Sequence, residues 1–284
     1  MKTILSGAAR SAIALGAALA FASPLAAQDT QDAPADAGGD RITIGVGAAL
    51  VPDFEGSDDS SIIPAGVIVG KVSGIDFFTR GTQLYVDLIP DAPGPGTNFE
   101  AGLIGGARLD RTNKVDDLQV RALGKIDTAW EVGGFVGVSR TGVITSDYDT
   151  LSARVAYVHD VSGTYDSYVI TPQITYTTPL SIRTLVSVGA SADYVGKGYA
   201  RTYFAVSPAG ALASGLPAYA FNDDGFKRFN LTAFALQSLS GDLRRGWGIG
   251  GGVLYGRMLG DFKRSPIVRD ANQWSFAAGV TYTF

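Results

Sequence analysis

From Arg41 onward the chain alternates. Ile42, Ile44, Val46, Ala48 and Leu50 fall on one parity, and Thr43, Gly45, Gly47 and Ala49 on the other. A period of two puts such residues on opposite faces of a β-strand. The ladder recurs along the chain. Phe99, Ala101, Leu103, Ala107 and Leu109 oppose Glu100, Gly102, Gly106 and Arg108, while Leu151, Ala153, Val155 and Tyr157 oppose Ser152, Arg154 and Asp160. Tyr168, Ile170, Ile174 and Tyr176 oppose Thr171, Gln173, Thr175 and Thr177. Ile182, Thr184, Val186, Val188, Ala190 and Tyr194 stand against Arg183, Ser187, Gly189, Ser191 and Asp193. Trp247, Ile249, Val253 and Tyr255 oppose Gly248, Gly250, Gly252 and Gly256. The last ladder sets Trp274, Phe276, Ala278, Val280, Tyr282 and Phe284 against Ser275, Ala277, Gly279, Thr281 and Thr283. Less regular strands are predicted near 61–72, 75–89, 128–139, 198–205 and 226–238, giving about twelve in all, with ten as the fallback.

An apolar face opposed to a small or polar one suits a soluble edge strand as well as a membrane strand. The terminal aromatic tips the balance, because a final strand that pairs with the first presents aromatics at a lipid interface. In hydrocarbon every backbone N–H and C=O needs an internal partner, which strands achieve only by closing on themselves. The expected fold is therefore all-β, a transmembrane antiparallel β-barrel over 41–284, with an even strand count. Tyr282 and Phe284 are the expected assembly signal, read by the barrel-assembly machinery.

The N-terminus adds a destination. Lys2 and Arg10 precede an apolar run from Ala12 to Ala22, followed by the small residues of Ser23-Pro-Leu-Ala-Ala27. This reads as a cleaved signal peptide over 1–27, since the run falls well short of the ~20 apolar residues of a spanning helix. Cleavage removes two cations and no acids, moving the formal charge from −4 to −6. Residues 28–40 are acidic and rich in Pro, Ala and Gly, and are expected to form a disordered periplasmic lead-in. The expected location is the outer membrane of a Gram-negative bacterium, in contact with lipid and lipopolysaccharide. Zero cysteines exclude a disulfide scaffold and thiolate chemistry. The mildly acidic balance argues against a nucleic-acid partner.

With a periplasmic C-terminus, strand parity sends loops near 52–60, 90–96, 140–149, 206–225 and 258–272 outward, and makes Ser73-Gly74 and Val195–Gly198 inner turns. Segment 110–127 fits this scheme poorly.

Candidate chemistry is sparse. His159, the single histidine, has lipid-facing parity, so neither it nor any other residue is expected to be catalytic. Gly246-Trp-Gly-Ile-Gly-Gly251 matches a dinucleotide-loop pattern but sits inside a strand, with no following helix to receive a pyrophosphate. Asp53, Glu55, Asp58 and Asp59 share a loop that could hold a divalent cation, though a solvated acidic loop is the reading adopted. No metal or cofactor is expected. Lys263, Arg264 and Arg269 are candidates for lipopolysaccharide phosphate, with ordinary solvated charge as the alternative. Glu100, Arg108, Arg154, Arg183 and Asp193 share the inward parity and are candidates for lining the lumen, where opposed charges either plug it or border a narrow aqueous path.

Three stretches carry a resemblance. Pro52-Asp-Phe-Glu55-Gly56-Ser57-Asp58, then Tyr203-Phe204 with Ser214-Gly215-Leu216-Pro217-Ala-Tyr219, and finally Leu259-Gly260-Asp261 with Ser265-Pro266-Ile-Val268 are similar, in this order, to segments of the MipA/OmpV outer-membrane family. The chain departs from that pattern at Ala205, where glycine is usual, and at Phe262-Lys263-Arg264. The resemblance implies an outer-membrane barrel. For the founding member it implies a scaffold linking a lytic murein transglycosylase to a penicillin-binding synthase, and other members are described as surface antigens or adhesins. The functional expectation is a non-enzymatic structural or scaffolding role in the cell envelope. The alternatives are a narrow passive channel for small solutes and a surface adhesin.

Overall fold

The alternation closes into a barrel. In the computed structural model, which describes residues 40–92 and 94–284, twelve strands run β1 Arg41–Pro52, β2 Ser60–Val72, β3 Ile75–Arg80, β4 Gln83–Asp87, β5 Gly96–Arg108, β6 Ala129–Thr141, β7 Thr150–Asp160, β8 Tyr168–Ser181, β9 Thr184–Val195, β10 Gly225–Ser238, β11 Gly246–Met258 and β12 Asn272–Thr283. Each pairs antiparallel with its sequence neighbours, and β12 returns to β1 with Ile44 opposite Tyr282 and Leu50 opposite Phe276. The seam is close. A Cβ on Gly47 would lie 2.1 Å from the Ala278 carbonyl oxygen, which is why glycine faces glycine at Gly47 and Gly279. The expected signal peptide, 1–27, and all of the lead-in but Asp40 lie outside the described residues.

The outer face is apolar, with Val46, Ile62, Phe99, Leu103, Val132 and Val136 all more than half exposed. Aromatics ring both ends of this band. Trp247, Tyr282 and Phe284 pack edge to face at the rim that carries the C-terminus, and Tyr255 packs on Trp274 at the other. Trp247 and Tyr255 share β11, and the stretch between them spans ~26 Å along the strand, or ~20 Å along a membrane normal at the usual tilt. That approaches the height of an outer-membrane apolar band.

Two predicted strands are corrected. The run 75–89 is a hairpin, β3–β4, because Gly81 adopts φ +62° and turns the chain. The run 198–205 is a helix, α2 (Lys197–Phe204). Tyr199, Ala200, Tyr203 and Phe204 recur at helical spacing and are all buried, so period four overrides an apparent alternation. One strand gained and one lost leave the count at twelve, but the sides change between them. Connections 73–74, 88–95, 142–149, 182–183 and 239–245 share a rim with Asp40 and Phe284, here the terminal rim. Connections 53–59, 81–82, 109–128, 161–167, 196–224 and 259–271 lie toward the far rim. Loops 90–96 and 140–149 are therefore beside the termini, opposite to expectation, and Val195–Gly198 opens the longest far-rim connection. Segment 110–127 also belongs to the far rim, where Asp117 caps α1 (Leu118–Ala122) by accepting the N–H groups of Gln119 and Val120.

Inside, the lumen between β3 and β7 is packed. Arg154 and Glu100 are both buried, with Arg154 Nε 2.8 Å from the Glu100 carboxylate. The same guanidinium lies over the rings of Phe78 and Phe135, 4.8 and 5.0 Å from their centroids. Removing one member strands the other in a low-dielectric interior. Glu100→Ala is expected to lower stability by about 3–5 kcal/mol, while a paired Glu100→Leu, Arg154→Met change recovers most of that loss. Urea unfolding of the refolded barrel, followed by tryptophan fluorescence, checks both.

Candidate functional site: the far-rim cap and the cavity beneath it

Four far-rim connections fold over the barrel mouth. Within 196–224, α2 is followed by α3 (Pro208–Ser214), begun by the Ser207 hydroxyl accepting the Gly210 N–H and ended by Gly215 at φ +73°. Val206 and Tyr219 then pair across the two sides of that helix as an isolated antiparallel bridge. Connection 259–271 supplies α4 (Gly260–Arg264). Phe204, Phe221 and Phe262 pack together with centroids 4.8–6.4 Å apart, and Phe54, Val115, Val120, Val206, Leu216 and Ile267 form a second buried cluster.

The three family-like stretches, far apart in sequence, meet in this cap. Gly56 donates its N–H to Gln273 and accepts the N–H groups of Arg269 and Asp270. Its φ is +98°, and a Cβ added there would come within 2.7 Å of Val268, so the position requires glycine. Ser265 donates to the Phe204 carbonyl at 2.6 Å, and Tyr219 donates to that of Asp261 at 3.0 Å. Ser57 accepts the Asp59 N–H, and Ser214 donates to the Gly210 carbonyl.

Below the cap lies a network of charge. Glu55 turns inward from the β1–β2 loop and accepts from Lys227 Nζ at 2.6 Å and from the Tyr199 hydroxyl at 2.7 Å. Lys227 is 1% exposed, and its neighbour Arg228 also points inward, reaching Asp193 at 3.2 Å. Two successive inward residues break the strand alternation. A β-bulge in the β9–β10 pairing, where the register shifts between Phe226 and Arg228, makes this possible. Arg108 donates to Glu131 at 2.7 Å and to the Tyr199 hydroxyl at 3.2 Å, and Glu131 also accepts from Tyr165 and Gln83. Burial would raise the Glu55 carboxyl, but Lys227, Arg228 and Arg108 outweigh it and hold that group well below the ordinary range. Asp110, which accepts the Glu55 N–H, behaves oppositely: burial and then the Glu55 charge push it up to about 6, against Arg111. A cavity of about 590 Å³ lies among these groups.

The predicted site residues divide. Glu100, Arg108, Arg154 and Asp193 face the interior. Arg183 does not; it sits exposed on the β8–β9 turn at the terminal rim, because the strand starts at Thr184. Lys263 and Arg264 are exposed on α4, with Arg264 paired to Asp261, whereas Arg269 is committed to Asp117 at 2.7 Å and to Gln119 at 2.7 Å. A single lipopolysaccharide patch of all three is therefore not formed. The acidic loop does not converge either, since Glu55 points into the barrel, and among the described residues no group of three acids or histidines is placed to hold a metal. His159 lies on the outer parity of β7 opposite Val132 and Tyr168. Alternation missed Lys227, Arg228, Tyr199, Arg80 and Arg111. The adjacent cations at 227 and 228 were the available signal for a bulge.

The family described as MltA-interacting protein MipA matches residues 44–284. No curated protein matches the chain. Among solved structures it is similar to the outer membrane channel DcaP of Acinetobacter baumannii, with 11% identity and TM-score 0.39 over 88% of this chain and 99% of that one. It is also similar to OmpT of Vibrio cholerae, with 10% identity and TM-score 0.35 over 87% and 97%. The Pseudomonas putida toluene transporter TodX gives 9% identity and TM-score 0.37 over 88% and 90%. Likeness this distant says nothing about what the chain does.

Asp110 makes the cap pH-sensitive. Its folded value of about 6 lies above the ordinary 3.8, so it favours the folded cap below that ordinary value, and the contribution is lost as pH rises through about 6. Protease resistance of 196–224 is expected to fall between about pH 5 and about pH 8 in the native chain, and to become flat across that range in Asp110→Asn. Glu55→Ala, which leaves Lys227 buried without its closest carboxylate, is expected to cost about 3–5 kcal/mol and to lower the temperature at which gel mobility changes.

Proposed function

This chain belongs to the MltA-interacting protein MipA family and is an outer-membrane barrel, and from that premise we propose that it is a structural barrel that docks a murein enzyme, not an open pore. The observation that carries the reading is the cap: the residues of the family-like stretches serve to close the far mouth. Tyr199, Tyr203, Phe204 and Ile267 are at most 1% exposed, and the charges beneath them pair with one another. Outer-membrane barrels join their strands by short periplasmic turns and longer external loops. The three longest connections here, 109–128, 196–224 and 259–271, all lie on the far rim, which supports a periplasmic terminal rim and an external cap.

The terminal rim also offers a contact surface. Asp149 accepts the N–H groups of Val143, Ile144 and Thr145 and the hydroxyl of Tyr176, so loop 142–149 is pinned and holds Ile144 out at 69% exposure. These hydrogen bonds outweigh desolvation and hold the Asp149 carboxyl below its ordinary range. Ile182 and Leu239, on the β8–β9 and β10–β11 turns of the same rim, are also more than half exposed, and Arg183 reaches Gly241 between them. Exposed apolar side chains and a cation presented on ordered turns of one rim suit a folded protein partner. The family's name points to a murein transglycosylase of the MltA kind as that partner, with the barrel holding it near a synthase. No catalytic step is assigned to the barrel.

Two measurements test this reading. The folded barrel in a planar bilayer is expected to give no discrete conductance, and stepwise currents altered by Arg154→Gln would favour the channel instead. A transglycosylase of that kind, immobilised, is expected to retain the detergent-solubilised barrel. Ile144→Asp combined with Leu239→Asp should reduce retention at least tenfold while gel mobility stays that of the folded form. Retention unaffected by these changes would place the contact elsewhere and sink the terminal-rim version.

A further inference from the structure

The barrel wall is interrupted. β2 pairs with β1 along Ser60–Lys71, nearly its whole length, but with β3 only over Val69–Val72. Among the described residues no strand lies against its second edge along Ser60–Ile68, where the Thr79 hydroxyl accepts the Ile68 N–H at 3.0 Å. Pro64, which has no N–H to offer, falls inside this stretch, as suits an edge. The cause is the short β3–β4 hairpin, whose Gly81–Thr82 tip stops partway up the wall. The cavity of about 590 Å³ reaches this interruption, lined there by Ser61 and Ile63 of β2 and by Arg80–Gln83 of the hairpin tip.

Charge around the cavity is uneven. Arg80, Arg108, Arg111, Lys114, Lys227 and Arg228 line it, against Asp53, Glu55, Asp110, Glu131 and Asp193. Every one of those carboxylates already accepts hydrogen bonds from the protein: Asp53 from Ser61 and the Asp116 N–H, Asp110 from the Glu55 N–H, Asp193 from Thr171 and Arg228, and Glu55 and Glu131 as described above. Donors are left over. The Arg80 side chain makes no hydrogen bond or ion pair among the described residues, and Nε and Nη1 of Arg111 and Nε of Arg228 are buried without partners. Unpaired buried donors are costly, and a guanidinium fork matches the two oxygens of a carboxylate or phosphate. Part of the remaining wall is aliphatic: Ala156, Val158, Val169 and Leu254.

We propose that this cavity is a binding site for a small organic anion, its carboxylate or phosphate held by Arg80 and its apolar body against Val158, Val169 and Leu254, entering through the interrupted wall beside β2. The volume lies in the ordinary range for such sites. The proposal does not rest on the docking role, since a barrel closed along its axis still offers this side entrance.

The test is calorimetric titration of the folded full chain with phenyl phosphate, benzoate and inorganic phosphate, with benzyl alcohol as the neutral control. Saturable binding of phenyl phosphate or benzoate, with none of the alcohol, is expected. Arg80→Gln should weaken it at least tenfold without altering heat-dependent gel mobility, because Arg80 supports no other group. Arg111→Gln, read the same way, provides a second variant. Whichever of phenyl phosphate and benzoate binds more tightly identifies the head group. Inorganic phosphate binding as tightly as phenyl phosphate would overturn the organic body of the ligand. No saturable binding of any anion at about 10 mM, or binding equal in the native chain and both variants, would overturn the site itself.

Discussion

A backbone inside hydrocarbon has no water to bond, and everything in this molecule follows from meeting that constraint with strands. At the β1–β12 seam the last strand must find the first across the whole chain, and there the two backbones approach so closely that Gly47 has to face Gly279. Closure in turn sorts every side chain. Once the ring is shut, parity alone decides whether a residue meets lipid or lumen. Apolar side chains and aromatic girdles then follow on one face, with small residues and buried charge on the other.

The buried charge is tolerable because almost none of it stands alone. Glu100 holds Arg154, Glu131 holds Arg108, Glu55 holds Lys227 and Asp193 holds Arg228. The Glu100–Arg154 and Glu55–Lys227 pairs join elements that are not neighbours in the ring, so they also cross-brace it. Arg80, which has no such partner, stands where the wall is incomplete. The stretch where the lumen is least self-sufficient is thus also the stretch where it is most accessible.

Strand faces were legible in the sequence to a degree that strand boundaries were not. Glu100, Arg108, Arg154 and Asp193 face inward as alternation indicates, and the C-terminal ladder has its predicted outward face. Period two, however, is a local signal that cannot count turns. Gly81 hid a hairpin inside one apparent strand, and α2 imitated another because Tyr199, Arg201 and Tyr203 alternate as well as recur helically. The two misreadings cancel in the strand number but invert the sides of everything between them. The family-like stretches marked the cap, yet nothing in their spacing says that Gly56 will touch Gln273 or that Glu55 will reach Lys227. Those contacts depend on the closed ring, and Lys227 depends further on a bulge that alternation treats as an error.

The cap brings residues of the first hairpin, Glu55 and Gly56, against Lys227 of β10 and against Gln273 and Arg269 near the chain's end. Those positions become neighbours only when the ring has closed, since before that the full length of the chain separates them and the loop entropy of joining them still opposes contact. Assembly therefore has a fixed order. The wall closes with its mouth open and the lid condenses afterwards, so the lid is the last part to form and the first expected to be lost on unfolding.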